Sequence, residues 1–225
     1  MTRIGAITVG QAPRVDVTVD VLPIWGDKAE LIEAGALDKL TYEEILALTP
    51  EHPDDHILVS RLRDGREVTF SEPRIVGYLQ NCIDELEAQG VALIIFFCTG
   101  EFPYTFRHNV PIIYPSDILL RVLPALSGGK PITVVTPSKL QLAQLKIKWE
   151  RHVDKANILY ASPYGDKAAL ERACREITET DGELVVLDCI GYTQKMKHDI
   201  AAATGKRVIL ARTMLARAVL EMIDA

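Results

Sequence analysis

The sequence lacks the features of several large protein classes. Lysine and arginine number 25 against 31 acidic residues, which leaves a formal net charge of −6 over 225 residues. Such a chain has no excess of cations with which to neutralise a phosphate backbone, so nucleic acid is not an expected partner. No apolar run approaches the roughly 18 to 20 residues of a membrane span, and no secretion signal opens the chain. We therefore expect a soluble, cytoplasmic protein without membrane contact.

Cysteine is also scarce, with four in the chain. No two of them have the spacing of about two to four intervening residues that is typical of zinc ligands. Without a secretion signal, we expect reduced thiols rather than disulfides. The glycine-rich motifs G-x-G-x-x-G and G-x-x-x-x-G-K-[ST] are missing, so a nucleotide site is not indicated. We expect neither a metal nor a cofactor.

The chain contains an internal sequence repeat. LIIFFCTGEF carries Cys98 and LVVLDCIGYT carries Cys189, and each is an apolar strand that ends in a Cys-x-Gly turn. The segments that follow also correspond, PIIYPSDILLRVL from Pro111 and RVILARTMLARAV from Arg207. A helix precedes each strand. A repeated helix, strand, turn and strand-helix pair predicts a duplicated α/β protein.

The remaining segments alternate between strand and helix patterns. Thr41 and Glu44 have the spacing of a capping box, which predicts a short helix after Thr41. HILVSRL and REVTF flank Asp64 and Gly65, which predicts a β-hairpin with a tight turn. Ser71 is expected to cap the long helix that follows. Strands that alternate with helices call for parallel sheets joined by right-handed crossovers.

The hairpin has no counterpart in the second half, so we place an insertion in the first half, at about residues 20–70. The predicted first lobe comprises residues 1–115 plus 211–225. The predicted second lobe comprises residues 116–210.

Two of the cysteines fit core positions. Cys82 shares a helical stripe with Leu79 and Leu86, and Cys174 shares one with Leu170 and Ile177. A small thiol packs well on an apolar stripe. We expect both residues inside the protein, without a chemical role.

Cys98 and Cys189 have a different setting. Both fall just beyond a strand of a parallel sheet, where ligands of such folds bind. A following helix N-terminus lowers a thiol pKa from its usual value of about 8.5, and glycine two residues on lets backbone amides turn toward an anion such as a carboxylate. One thiolate would then remove a proton from a carbon beside a carboxylate, while the other thiol protonates the opposite face. The alternative is a pair of inert cysteines at strand ends.

These motifs carry a family resemblance. The duplicated α/β halves, FFCTGEF, LDCIGYT and PIIYPSDILL resemble the aspartate/glutamate racemase superfamily, which includes hydantoin racemases, maleate isomerases and arylmalonate decarboxylases. With TVGQAPR at the start and VVLDCIGYT near the end, the chain as a whole is similar to the AroM family over essentially its full length. The resemblance implies two Rossmann-like or flavodoxin-like lobes with parallel sheets related by pseudo-two-fold symmetry. It also implies that the Cys98 and Cys189 sulfurs face one cleft, roughly 7 to 9 Å apart, so that both reach one carbon.

The sequence departs from the superfamily at two turns. Gly10-Gln11 stands where racemases have an Asp-Ser or Asn-containing turn, and Cys98-Thr99-Gly100 stands where they have Cys-Asn-Thr. Recognition of an amino group is therefore not indicated, whereas amides and hydroxyls can still bind a carboxylate. The expected substrate-binding residues are Gln11, Arg14, Thr99, Gly100, Thr136, Ser138, Gly191, Tyr192 and Thr193.

Two functions remain open on the sequence. The first is a cofactor-independent racemase, isomerase or related lyase that acts on a small carboxylate through Cys98 and Cys189. The second is a small-molecule-binding or regulatory protein that keeps the two-lobed fold without the chemistry. Retention of both thiols favours the first, and loss of the usual polar partners favours the second. A small carboxylate is the expected ligand under the first, and a homodimer is left open.

Overall fold

Two four-stranded parallel sheets organise the chain. The computed structural model describes residues 1–52 and 55–224. The sheets belong to two compact units. One unit comprises Met1–Pro115 and the segment that begins at Ala216, and the other comprises Ser116–Leu215.

The first unit contains a parallel sheet of order β2-β1-β5-β6 and a separate two-stranded hairpin, β3-β4. Its elements are β1 (Thr2–Thr8), α1 (Val15–Trp25), β2 (Ala29–Gly35), α2 (Tyr42–Leu46), β3 (Ile57–Arg61), β4 (Glu67–Ser71), α3 (Val76–Ala88), β5 (Leu93–Phe96) and β6 (Ile112–Ile113). A single 3-10 turn, Pro73–Ile75, leads into α3.

The second unit contains a parallel sheet of order β10-β9-β7-β8. Its elements are α4 (Pro115–Ser127), β7 (Ile132–Thr136), α5 (Leu142–Glu150), β8 (Ala156–Tyr160), α6 (Lys167–Glu179), β9 (Leu184–Leu187), α7 (Gln194–Thr204), β10 (Arg207–Leu210) and α8 (Ala211–Ile223). Helix α4 starts on the last residue of the first unit, and α8 returns to that unit from Ala216.

The two sheets have the same topology. Reading β1, β2, β5 and β6 as β7, β8, β9 and β10 converts one strand order into the other. Cys98 and Cys189 each stand two residues beyond the equivalent strands β5 and β9. The predicted fold class, two similar α/β lobes built on parallel sheets, is confirmed.

The extra segment of the first unit lies between β2 and α3. Helix α1 and strand β2 have counterparts in α5 and β8, so the insertion begins after Gly35 rather than near residue 20. It contains α2 and the hairpin, whereas only residues 161–166 join β8 to α6. The capping box is confirmed, because the Thr41 hydroxyl accepts from the Glu44 amide and the Thr41 amide donates to the Glu44 carboxylate.

The hairpin is confirmed, but the predicted cap at Ser71 is wrong. Gly65 adopts a φ of +90° in the turn between β3 and β4. Ser71 is the last residue of β4, where it pairs with Ile57, and its hydroxyl donates to Asp55. Ser71 is used in strand pairing and not as a helix cap, and α3 starts at Val76.

The two cysteines expected in the core differ from each other. Cys82 is buried among the apolar side chains of α3 and the first sheet. Cys174 is half-buried at the edge of the second core and lines a groove of about 510 Å³ between α6 and α7. The expectation of a core position is correct for Cys82 and wrong for Cys174, because α7 covers only part of its side. None of the helices in the described parts of the chain is long and apolar enough to cross a membrane.

Candidate functional site

The Cys98 turn follows the buried strand LIIF. The amide of Gly100 donates to the Cys98 sulfur over 3.4 Å, and the thiol is partly exposed. Thr99, between them, is buried. Three rings pack beside the turn, because Phe96 lies 5.1 Å from Phe102 and 4.7 Å from Tyr114 between ring centroids. The turn therefore places the Cys98 sulfur next to an amide donor and beside a cluster of aromatic rings.

The inserted hairpin packs against the same end of the first sheet. A Cβ placed on Gly10, after β1, would lie 2.1 Å from the Ser60 hydroxyl of β3. A Cβ placed on Gly100 would lie 3.1 Å from the side chain of Leu58. Glycine at position 10 is thus required by the close approach of β3. The hairpin contacts both loops that leave the carboxyl ends of β1 and β5.

Two predicted ligands in the first unit are engaged by protein groups. The Gln11 amide nitrogen donates to the Leu37 carbonyl, and its oxygen accepts from the Arg63 amide. The Arg14 guanidinium, 3% exposed, forms a two-pronged ion pair with Asp16 at 2.8 Å for both bonds. The geometry therefore ties Gln11 to the inserted segment and Arg14 to the first turn of α1.

Two carboxyl groups near this end of the sheet have raised pKa values. Burial raises the pKa of Glu33, although the Arg14 amide donates to it at 2.7 Å and the guanidinium charge opposes the rise. Glu72 is 2% exposed just beyond β4, and burial raises its pKa to about 8. A hydrogen bond with Tyr104 opposes that rise, and the charge of Glu101 adds to it. Burial therefore favours the protonated form of Glu72.

The Cys189 turn in the second unit repeats the geometry of the first. The amide of Gly191 donates to the Cys189 sulfur over 3.3 Å, and the thiol is 7% exposed. A Cβ on Gly191 would lie 2.4 Å from the Tyr164 hydroxyl, so this glycine is required by a neighbouring side chain. The carbonyl of Ile190 accepts from Nε of the fully buried Arg212 at 2.9 Å. The turn is thus fixed from several sides.

The residue before Cys189 is a buried acid. Asp188 accepts from Lys148 Nζ at 2.9 and 3.2 Å and from the Trp149 indole at 2.7 Å. Sequence reasoning passed over Asp188, Lys148, Arg212 and Glu72. A signal for Asp188 was available, since it is the single charge that ends the apolar run LVVL.

The other predicted ligands of the second unit form hydrogen bonds within that unit. Tyr192 is fully buried in the second core, where its hydroxyl donates to the Ala161 carbonyl at 2.6 Å. The Thr136 hydroxyl, also buried, donates to Gln141 at 3.0 Å. Ser138 and Thr193 act as N-caps, with their hydroxyls accepting from the amides of Leu140 and Met196. Tyr192 is therefore a packing residue, and the two caps place helix N-termini beyond β7 and β9.

Within residues 1–52 and 55–224, no group of three or more acidic, cysteine or histidine side chains could hold a metal ion.

Two parallel α/β units of equivalent strand order, each with a Cys-x-Gly turn beyond the matching strand, define an aspartate/glutamate racemase-like fold. The aspartate racemase of Picrophilus torridus has this fold at 13% identity and a TM-score of 0.61, with 100% of this chain and 95% of that chain covered. The allantoin racemase from Klebsiella pneumoniae matches at 15% identity and a TM-score of 0.63, covering 100% and 88%. The maleate isomerase Iso from Pseudomonas putida S16 matches at 15% and 0.61, covering 99% and 93%.

The chain belongs to the AroM family, described as AroM protein, which matches residues 4–223. Among curated proteins, none matches the sequence.

Proposed function

We propose that the chain catalyses a cofactor-independent racemisation, isomerisation or related lyase reaction on a small carboxylate, with Cys98 and Cys189 as the acid and base. One observation carries the proposal. In each unit a thiol stands two residues beyond the equivalent strand and accepts a hydrogen bond from the amide two residues on, at 3.4 Å in one unit and 3.3 Å in the other. Retention of a thiol with an amide donor in both halves of a duplicated fold favours a shared role for the two cysteines.

The chemistry follows from the amide contacts. A donor directed at sulfur favours the thiolate over the thiol, which prepares the residue to remove a proton. In the forward direction one thiolate becomes a thiol by taking the proton from the carbon beside the carboxylate. The other thiol gives its proton to the opposite face and becomes a thiolate. The proposal requires both sulfurs to reach one carbon from opposite sides.

The substrate carboxylate would be bound by amides and hydroxyls near the two turns. Thr99 and Gly100 belong to the first turn, and Gly191 belongs to the second. Thr193 adds the N-terminus of α7, and Ser138 adds the 3-10 turn that precedes α5. A helix N-terminus favours an anion through its free amides. Racemases and an isomerase among the structural relatives are consistent with this kind of reaction.

A second candidate is a binding protein without catalysis. It is favoured by the internal engagement of two polar side chains after β1. Both atoms of the Gln11 amide bond protein groups, and Arg14 is paired with Asp16. These bonds hold the loop after β1 in one conformation, which suits a binding protein whether or not the thiols react.

Proton exchange at carbon separates the two functions. Small dicarboxylates, amino acids and hydantoins are incubated with the protein in deuterated water, and deuterium at the carbon beside the carboxylate is followed by NMR. We expect inversion of one substrate class to fall by at least about 100-fold in Cys98→Ser and in Cys189→Ser, the scale of a lost acid or base. Each single variant should still exchange the enantiomer whose proton faces its remaining thiol.

Cys174→Ser is the matched control, because it removes a half-buried thiol of the second unit outside the turn. It should exchange and invert at the rate of the unsubstituted protein. Unchanged inversion in either turn variant contradicts the proposal. If no compound exchanges, and ligand affinity by calorimetry is equal in all three variants, the binding protein replaces the enzyme.

A further inference from the structure

A buried ion pair involves the residue that precedes one of the two thiols in the chain. Asp188 immediately precedes Cys189, and its side chain is 0% exposed. The Lys148 ammonium, 6% exposed on α5, contacts both carboxylate oxygens. The indole of Trp149 adds a third donor at 2.7 Å. One carboxylate thus receives three hydrogen bonds from two consecutive residues of a neighbouring helix.

Stability alone does not account for this pair. Removing two charges from water costs several kcal/mol per ion, and apolar replacements of buried pairs are often neutral or stabilising. Apolar packing of α5 on the sheet is already supplied by Leu145 and Trp149, which are buried with Val186 of β9. A function for the charges is therefore to be sought in what they adjoin.

The first unit offers a matched comparison. The Phe97 amide donates to the Ile7 carbonyl of β1, and the Asp188 amide donates to the Val135 carbonyl of β7. Phe97 thus occupies in the first sheet the backbone position that Asp188 occupies in the second, and it is 1% exposed. The two thiols follow equivalent backbone positions. One of these positions is apolar, and the other carries a charge.

Other charged and titratable groups face the Cys189 turn. Arg212, from the start of α8, bonds the Ile190 carbonyl, and the Tyr164 hydroxyl lies against Gly191. Tyr192, on the far side of the turn, is bonded to Ala161. Of these groups only Asp188 lies next to the thiol in the chain, and Lys148 directly balances it.

We propose that Asp188 and Lys148 are positioning residues for Cys189: the pair holds the turn and sets the charge beside its thiol, so that Cys189 and Cys98 differ in reactivity. The inference deepens the proposed function, on which its catalytic meaning rests. A reaction that removes a proton on one face and adds one on the other needs two groups of different protonation at the start of each turnover. The ion pair contributes to that difference, because the first unit has Phe97 where the second has Asp188.

Alkylation of the two thiols at a series of pH values tests the proposal. The native protein reacts with iodoacetamide, and mass spectrometry of peptides gives a separate rate for Cys98 and for Cys189. Asp188→Asn leaves the lysine charge beside the turn, which favours the thiolate. Lys148→Met leaves the aspartate charge, which favours the thiol. We expect the midpoint of the Cys189 rate profile to move down in the first variant and up in the second, by on the order of one pH unit for a unit charge this close.

Cys98 is the internal control in every sample, and its midpoint should stay in place. Circular dichroism establishes that each variant is folded, and Lys148→Arg, which keeps charge and donors, should restore the original Cys189 profile. Movement of both variants in one direction, equal movement of Cys98, or no movement overturns the proposal, because a purely structural pair has no reason to give opposite signs.

A second variant covers a failure of the single variants to fold. Asp188→Lys combined with Lys148→Asp exchanges the two charges while keeping them paired. We expect the Cys189 midpoint to move down relative to the unsubstituted protein, because the cation then occupies the residue next to the thiol, and an unmoved midpoint overturns the proposal. The readout needs no substrate. If the Cys189 midpoint shifts in opposite directions in the two single variants but no compound exchanges its proton, the proposed function fails and the role of the pair stands. If exchange requires Cys189 but its midpoint does not shift, the role of the pair fails and the proposed function stands.

Discussion

Glu72 shows how burial alters the charge of a carboxyl group. It lies 2% exposed beside Tyr104, and its pKa rises from 4.5 to about 8, chiefly through burial. Between these values the unfolded chain loses the proton and the folded chain keeps it, so stability falls as pH rises. Below 4.5 the two states are alike, and above about 8 the loss is complete. The full shift corresponds to about 5 kcal/mol at most.

Glu72→Gln should therefore flatten the stability profile. We expect its free energy of unfolding in urea to exceed that of the unsubstituted protein by about 2 to 5 kcal/mol at pH 8, and to match it closely at pH 4.5. Glu67→Gln, at an exposed position of the same hairpin, is the control and should leave the decline intact. Parallel profiles for the unsubstituted protein and Glu72→Gln would show that Glu72 ionises normally in the fold.

Cys82 and Cys174 make a second residue-level contrast. Burial raises the pKa of Cys82 to about 12, with further contributions from Asp38 and Glu85. The pKa of Cys174 is raised as well, first by burial and then by the charges of Asp199 and Glu171.

We expect iodoacetamide at pH 8 to label Cys82 only after unfolding and to label Cys174 slowly in the native protein. Cys82→Ala should lower the free energy of unfolding by about 1 to 3 kcal/mol, as truncation of a core side chain does. Prompt native labelling of Cys82 would place it outside the core.

The positions of the two thiols beyond their strands could be read from the sequence, whereas their surroundings could not, for a physical reason. Cys98 and Cys189 stand out because strand, turn and glycine are consecutive in the chain. The partner of Asp188 is Lys148, 40 positions away, and that of Glu72 is Tyr104 on another loop. Tyr192 was expected near the ligand, yet the fold turns it into the core. Such contacts depend on how helices pack on the sheet, which local patterns do not encode.

At the scale of elements, the buried apolar strands give the clearest signal in the sequence. β1, β5, β7 and β9 are nearly all buried and appear as apolar runs. β2 was left unassigned because Glu30 and Glu33 interrupt it, as an edge strand of the sheet allows. Missing β2 moved the expected insertion too early, since the strand has its counterpart in β8.

The contact between the hairpin and β1 gives a test at this scale. Gly10→Ala places a Cβ 2.1 Å from the Ser60 hydroxyl and 2.9 Å from its Cβ. We expect a loss of about 1 to 3 kcal/mol in the free energy of unfolding, the usual cost of overpacking. In a double-mutant cycle, adding Ser60→Gly should recover most of that loss, because it removes both atoms.

Gly77→Ala is the matched control for this cycle. A Cβ there meets nothing within 4 Å on helix α3, so the substitution should stabilise by about 0.5 to 1 kcal/mol. Equal stability of Gly10→Ala and the unsubstituted protein, or additive losses in the cycle, would mean that β3 moves away without cost.

At the scale of the whole molecule, α8 divides between the two units. Its first residues belong with the second unit, and from Ala216 it belongs with the first. There the Trp25 indole donates to the Ala216 carbonyl at 2.8 Å. Lys28 forms an ion pair with Asp224. The sequence predicted a first lobe of residues 1–115 plus 211–225, whereas the point inside α8 at which the division falls carries no local signal.

Each unit holds one of the two tryptophans, Trp25 in the first and Trp149 in the second, and both are buried. Ending the chain after Leu215 should therefore shift Trp25 emission to the red and lower the urea midpoint that it reports. The Trp149→Phe background isolates the emission of Trp25, and the Trp25→Phe background isolates that of Trp149. The truncation should change the Trp149 emission and its urea midpoint little. Equal shifts of both tryptophans would show that the segment from Ala216 stabilises the units alike.

The division of α8 also sets an order of events during synthesis. Chains emerge from the ribosome at about 5 to 20 residues per second, and domains generally fold as their sequences become complete. The second unit is complete once Leu215 has emerged, whereas the first must wait for the segment that begins at Ala216. The unit that is translated first is therefore finished last. Until then the Trp25 indole lacks the Ala216 carbonyl that accepts its hydrogen bond, so the first unit reaches its final packing only when the last turns of α8 have been made.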